Sequence, residues 1–153
     1  MKPKFLLTYF LIFIFSHIVA YFFAGIISNA LGVFAFYPPS PTALSYLRNP
    51  HDPIVWKLMF PAQILRASLY AIVFLPLFKW IKAQGQLKGG LIIGSILFFI
   101  GYVAASGGLI EHEVFFTEYP LRFALISLLE IATYSFVFGQ LVIKLTNKYL
   151  YEA

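Results

Sequence analysis

The chain reads as long apolar runs separated by short polar stretches. Four runs dominate, over residues 5–28, 58–78, 89–110 and 121–143. A helix needs about 20 apolar residues to cross a bilayer, and each run reaches that length. Strands of membrane barrels are about ten residues long and alternate apolar with polar positions. These runs are continuously apolar, so the pattern predicts helices. The expected fold is an all-α polytopic membrane protein, with residues 1–153 forming a single four-helix bundle. The sequence contains no internal repeat and no low-complexity segment.

The first run also has features of a secretory signal: Lys2 and Lys4 precede it, and Ser28-Asn29-Ala30 has the small residues of a cleavage site. It is about twice as long as a signal core of about 7–15 residues, so a retained first helix is expected. Charges between the runs set the orientation. Lys2 and Lys4, then Lys79, Lys82 and Lys88, then Lys144 and Lys148 fall on one side. Glu111, Glu113 and Glu118 fall on the other, in a third loop without Lys or Arg. The positive-inside rule then places both termini and the second loop in the cytoplasm, and the first and third loops outside. Trp56 and Trp80 fall near the ends of the second run, where an aromatic belt would sit. The expected location is a bacterial-type cytoplasmic membrane.

Composition agrees. The chain is 61% hydrophobic and 11% charged. Soluble domains are about 45–50% apolar and about 25% charged, so a soluble or disordered chain is excluded. The absence of cysteine excludes disulfides, thiolate nucleophiles and Cys-ligated metals. The net charge of +5 resides in bases flanking apolar runs, without the basic patch of a nucleic-acid binder.

The first outer loop, residues 29–57, holds Pro38, Pro39, Pro41, Pro50 and Pro53 and cannot be one helix. A short helix from Thr42 to Leu47, capped by Ser40 or Thr42, is expected. Phe34, Phe36, Tyr37, Leu44, Tyr46 and Leu47 are too apolar for a free loop. The segment is expected to lie on the membrane surface or cap the bundle, with a lid or docking surface as the functional alternative.

Helical spacing aligns the polar residues inside the runs. His17, Tyr21 and Ser28 share one face; so do Gln63, Arg66 and Tyr70; Tyr102 and Ser106, with Ser95; and Ser127, Glu130 and Tyr134. At about 1.5 Å per residue, Arg66 and Ser106 lie roughly 7–8 Å from the outer ends, and Tyr21, Tyr70 and Tyr102 roughly 12–14 Å. Glu130 and His17 lie roughly 16–18 Å deep on the same rise. If all faces turn inward, His17, Tyr21, Arg66, Tyr70, Tyr102, Ser106, Glu130 and Tyr134 form one polar cluster open to the outside. The inner half is then apolar apart from Gln140.

Glu130 is the most costly residue. A lone charge near the midplane is unfavourable by about 2.5–3.5 kcal/mol on insertion scales. Glu130 can be protonated, bonded to tyrosine hydroxyls or paired with Arg66; pairing removes the cost from both and leaves two readings, a register-fixing ion pair or a binding and proton-transfer site. His17 is a packed core histidine, a member of the cluster, or a haem or metal ligand. Three histidines are too few for a bis-haem bundle, and no cofactor is expected. Glu111, His112 and Glu113, with His51 and Asp52, resemble a metal cluster only if their loop folds them together; a solvated acidic loop explains them equally, and no metal is expected. Arg122 follows Pro120 at the start of the fourth run, near Glu118 and Glu111 or lipid headgroups.

Gly90 and Gly94 form a GxxxG pair, and Gly94, Gly101 and Gly108 recur every seven residues. Such faces let helices approach closely, within the bundle or between subunits. No phosphate-binding glycine loop, HExxH, GxSxG or paired membrane aspartates occur. The leading expectation is a non-enzymatic protein acting by association, as a subunit of a larger complex or a homo-oligomer. A transporter or channel using Glu130 is the alternative. A membrane enzyme acting on lipid or isoprenoid is the third reading, using Glu130, Arg66, Arg122 and His17.

Overall fold

The computed structural model describes residues 3–44, 47–103 and 120–150. Among them every regular element is helical: α1 (Pro3–Ala30), one 3-10 turn (Val33–Phe36), α2 (Pro53–Phe74), α3 (Phe78–Ala83), α4 (Gln86–Phe98) and α5 (Leu121–Tyr149). α1, α2 and α5 are long and apolar enough to cross a membrane. α4 is shorter and runs into a π turn, Phe99–Val103. The rest of the predicted third span, residues 104–110, lies outside the described residues.

Local chemistry explains the shifted boundaries. α2 begins five residues before the predicted span because Asp52 caps it: its carboxylate oxygen accepts from the Ile54 N–H at 2.9 Å, with Pro53 in the first helical position. It ends four residues early, ahead of Pro76, which has no N–H to continue the ladder; Leu75 before it still keeps helical backbone angles and bonds back to Ala71. Pro61 lies inside α2 without ending it. α5 runs past residue 143 to Tyr149 because hydropathy marks where lipid stops, not where helix stops. Replacing Asp52 with alanine is expected to cost about 1 kcal/mol, read as a lower midpoint in detergent unfolding. An unchanged midpoint would show that the cap is dispensable.

The helices lie in the order α2, α1, α5, α4, each packed on the next. Partners along each seam run in opposite directions. Along α1 and α5, His17 meets Tyr134 and Phe13 meets Phe138. Along α1 and α2, His17 meets Gln63, Phe13 meets Phe74 and Tyr9 meets Ala71, with Phe78 at the start of α3 beside Tyr9. Along α4 and α5, Gly90 meets Gly139 and Gly94 meets Ser135 and Phe136. α1 and α5 are therefore antiparallel, and Pro3 and Tyr149 lie at the same end.

Two apolar clusters hold the ends. At the terminal end, Tyr9, Phe13, Phe74, Phe78 and Phe138 interlock with Ile93, Val142 and Ile143. The Tyr9 hydroxyl donates to the Ala71 carbonyl at 3.0 Å, which makes a phenol acceptable there. At the other end the proline-rich loop folds over the bundle: Val33, Phe36 and Leu44 pack on Phe123 and Ile126 of α5. The capping expectation is thus met, by a different local structure. The 3-10 turn of this loop is at Val33–Phe36, and Thr42–Leu44 is not helical; residues 45 and 46 lie outside the described residues.

Small residues set the close seams. Ser16, Ala20, Ala24 and Ser28 recur every fourth residue on the buried face of α1. This repeat lets α5 lie near the α1 backbone. Gly89, Gly90 and Gly94 are buried against neighbouring backbone, and the GxxxG pair packs on α5 of the same chain. Gly101 meets only Ile131, at 3.5 Å from where a methyl group would stand, and Gly108 is outside the described residues.

Candidate functional site

Between the two apolar ends lies one polar layer, centred on His17. His17 is thirteen residues from Ala30 and fourteen from Pro3, halfway along α1. Tyr134 is thirteen residues into α5, and Arg66 thirteen into α2. At about 1.5 Å per residue, all three lie about 20 Å from the loop end. The contacts of Gln63 and Tyr70 with His17 thus put Arg66, which lies between them on α2, level with His17 rather than nearer the loop end.

His17 is fully buried and uses both ring nitrogens. Nε2 lies 2.7 Å from Oε1 of Gln63 on α2, and Nδ1 lies 2.5 Å from the hydroxyl of Tyr134 on α5. A carbonyl oxygen can only accept, so Nε2–H donates to Gln63. The neutral ring's other nitrogen then accepts from Tyr134 O–H. One side chain on the middle helix thus bridges two helices that flank it. Tyr21 and Tyr70 stand beside the imidazole, with centroids 6.2 Å and 5.9 Å away, and Phe138 closes the terminal side. Tyr70 and Tyr134 are also neighbours.

The two charges do not meet. Among the described residues the single ion pair is Arg48 with Asp52, exposed and at 4.0 Å. The expected pairing of Arg66 with Glu130 is therefore corrected. α1 stands between the helices that carry them. Arg66 is exposed, whereas Glu130 is half-buried and has Ser28 as its polar neighbour. Both charges nevertheless lie within electrostatic range of Tyr21.

The other expected members are distributed differently. Tyr102 is buried far from His17: its hydroxyl donates to the Ala124 carbonyl at 3.0 Å, in the first turn of α5. Ser106, Glu111, His112 and Glu113 lie outside the described residues. Arg122 donates to the Leu31 carbonyl at 3.3 Å and lies against Gly32, tying the loop to α5. Arg122 was expected at the outer face and not in the cluster, and this contact makes it a fastener of the loop. Among the described residues, no group of three His, Asp or Glu side chains could hold a metal.

Gln63 is the member most easily underrated from sequence. It shares the Arg66 stripe, yet an amide draws less attention than a charge. Two buried hydroxyls, Ser16 and Ser135, flank the His17–Tyr134 bond by one residue each and have no hydrogen-bond partner among the described residues. Their small size fits the close α1–α5 seam. The terminal half is thus less purely apolar than expected, with Ser135 and Thr146 buried there and Gln140 donating to the Leu87 carbonyl at 3.2 Å.

Comparison with protein-family models, with curated proteins and with solved structures finds no match for this chain.

Proposed function

We propose that this protein is a four-span membrane protein with both termini in the cytoplasm, working by association within the bilayer as a subunit of a larger complex or as a homo-oligomer. The observation that carries this reading is the state of α2. Among the described residues its principal neighbour is α1, and it leaves Leu58, Leu65, Leu69 and Ile72 exposed, with Arg66 among them. A helix held along one side, with a cation at mid-depth, gains most from a further neighbour. The antiparallel order of the helices supports the two-inward topology, since it puts the lysine-bearing ends together.

Topology and association are tested separately. The chain has no cysteine, so single cysteines report cleanly. H51C is expected to react with a membrane-impermeant maleimide in intact cells, and Q86C only after permeabilisation; the reverse pattern overturns the orientation. Native mass measurement after extraction in mild detergent is expected to give a defined oligomer or a stoichiometric protein partner. A bare monomer under the mildest conditions overturns the association reading.

A second reading, transport of a small solute, is favoured by one observation: Arg66 and Glu130 stay apart instead of neutralising each other. In reconstituted vesicles E130Q is then expected to abolish flux while leaving assembly intact. A variant that assembles and still conducts flux overturns it.

A further inference from the structure

At the end of the bundle where Pro3 and Tyr149 lie, three helices close on a single point. A methyl group at Gly89 of α4 would stand 2.7 Å from the Ile81 carbonyl oxygen of α3 and 3.3 Å from the Ile143 side chain of α5. Each residue of this contact has a lysine as its chain neighbour: Lys88 beside Gly89, Lys82 beside Ile81 and Lys144 beside Ile143. Consecutive Cα atoms are about 3.8 Å apart, so three elements each bring a lysine to one junction. Lys79 lies one turn before Lys82 on α3, and Lys148 one turn beyond Lys144 on α5, which extends the basic rim.

Lys82 donates to the Leu150 carbonyl at 2.9 Å, which ties α3 to the end of α5 and leaves two of its three protons. Lys79, Lys88, Lys144 and Lys148 are exposed, and none has an ion-pair partner among the described residues. The two described acids do not offset this charge: Asp52 caps α2 at the loop end, and Glu130 lies within α5 nearer that same end. Clustered charge of one sign draws the opposite sign. The apolar surroundings say which anion. Leu87 precedes Lys88, Trp80 follows Lys79 and Leu77 stands just before α3, all three exposed. A soluble phosphate or a nucleic acid gains nothing from such neighbours. A phospholipid carries its phosphate directly beside acyl chains and satisfies both. Tryptophan favours the level where headgroups meet hydrocarbon, and basic pockets between helices at one membrane face hold anionic headgroups.

We infer that the junction of α3, α4 and α5 binds an anionic phospholipid, its phosphate on Lys82, Lys88 and Lys144 and its acyl chains along Leu77, Trp80 and Leu87. The site is independent of what α2 recruits.

The test uses the full chain in a neutral maltoside detergent, read by native mass spectrometry as lipid is titrated. Retention of about one phosphatidylglycerol per chain is expected, at least tenfold tighter than phosphatidylcholine, whose headgroup has no net charge. One basic residue near an anionic surface contributes about fivefold in affinity, so K88Q and K144Q are each expected to weaken retention about fivefold, and the double variant about twenty-five-fold. K57Q removes an exposed lysine near the loop end and is expected to change nothing. Each variant is checked for native helix content and size. Competition on the wild-type protein is independent of folding in the variants. Inorganic phosphate, glycerol phosphate and a short single-stranded oligonucleotide are each expected to compete at least a hundredfold less well than the lipid. Absence of retention overturns the inference, as does equal retention of phosphatidylcholine, wild-type retention by the folded double variant, or a loss in K57Q as large as in K88Q. Competition by phosphate or oligonucleotide at the concentration of the lipid would make the junction a site for soluble anions and also overturns it.

Discussion

Replacing His17 with alanine is expected to destabilise the protein by about 3–5 kcal/mol, the largest effect of any single substitution considered. Two terms contribute. The first is a cavity: the imidazole is fully buried among Tyr70, Tyr134 and Phe138, and loss of a large buried side chain costs about 2–5 kcal/mol when neighbours cannot collapse. The second is the pair of interhelical bonds. In membrane proteins such bonds average about 0.6 kcal/mol, with a maximum near 1.7, so the two together are smaller than the cavity term. Their loss also orphans the Gln63 amide and the Tyr134 hydroxyl. His17→Phe separates the terms, because it fills most of the volume and makes neither bond. Unfolding titrations in mixed detergent should place H17F between wild type and H17A. If H17F and wild type coincide, the bridge contributes only packing.

Gly139→Ala is expected to cost about 1–3 kcal/mol and to loosen α4 from α5. A methyl group at Gly139 would stand 2.2 Å from the Gly90 carbonyl oxygen and 2.9 Å from the Gly94 nitrogen. These are backbone atoms, so no rotamer change relieves the clash and the helices must separate. Gly90→Ala meets mainly the Gln140 side chain, at 2.5 Å, which can swing away at the cost of its bond to Leu87. Its effect should be smaller. Gly25→Ala meets nothing within 4 Å and should be neutral or stabilising by up to about 1 kcal/mol, from helix propensity alone. The same unfolding titration ranks the three. Equal losses for Gly139→Ala and Gly25→Ala would mean that the seam is not closely packed.

Both expectations concern contacts that sequence spacing only partly discloses. Gly90 and Gly94 are visible as a pair, but their matching position, Gly139, belongs to no motif. It becomes necessary only once α5 lies across α4. His17 likewise was identified on a polar face, with its stripe partners on the other helices. Spacing within a helix says which residues share a face. It does not say which faces meet, nor at what level. Arg66 illustrates the difference: spacing along α2 places it on one face with Gln63 and Tyr70, but only their contacts with His17 set it at the level of that histidine.

The sequence by itself determined the solvent and the kind of element. Continuous apolar runs with few charges leave helices in lipid as the state that satisfies the backbone. It also determined which residues share a helical face, because the helical period is fixed by backbone geometry. Only the tertiary structure decided which polar groups meet: that His17 joins Gln63 to Tyr134, that Tyr102 is used elsewhere on Ala124, and that Arg66 and Glu130 remain apart. Those outcomes depend on helix order and on the shift of one helix along another, which are set by the small residues that pack and the bulky ones that do not.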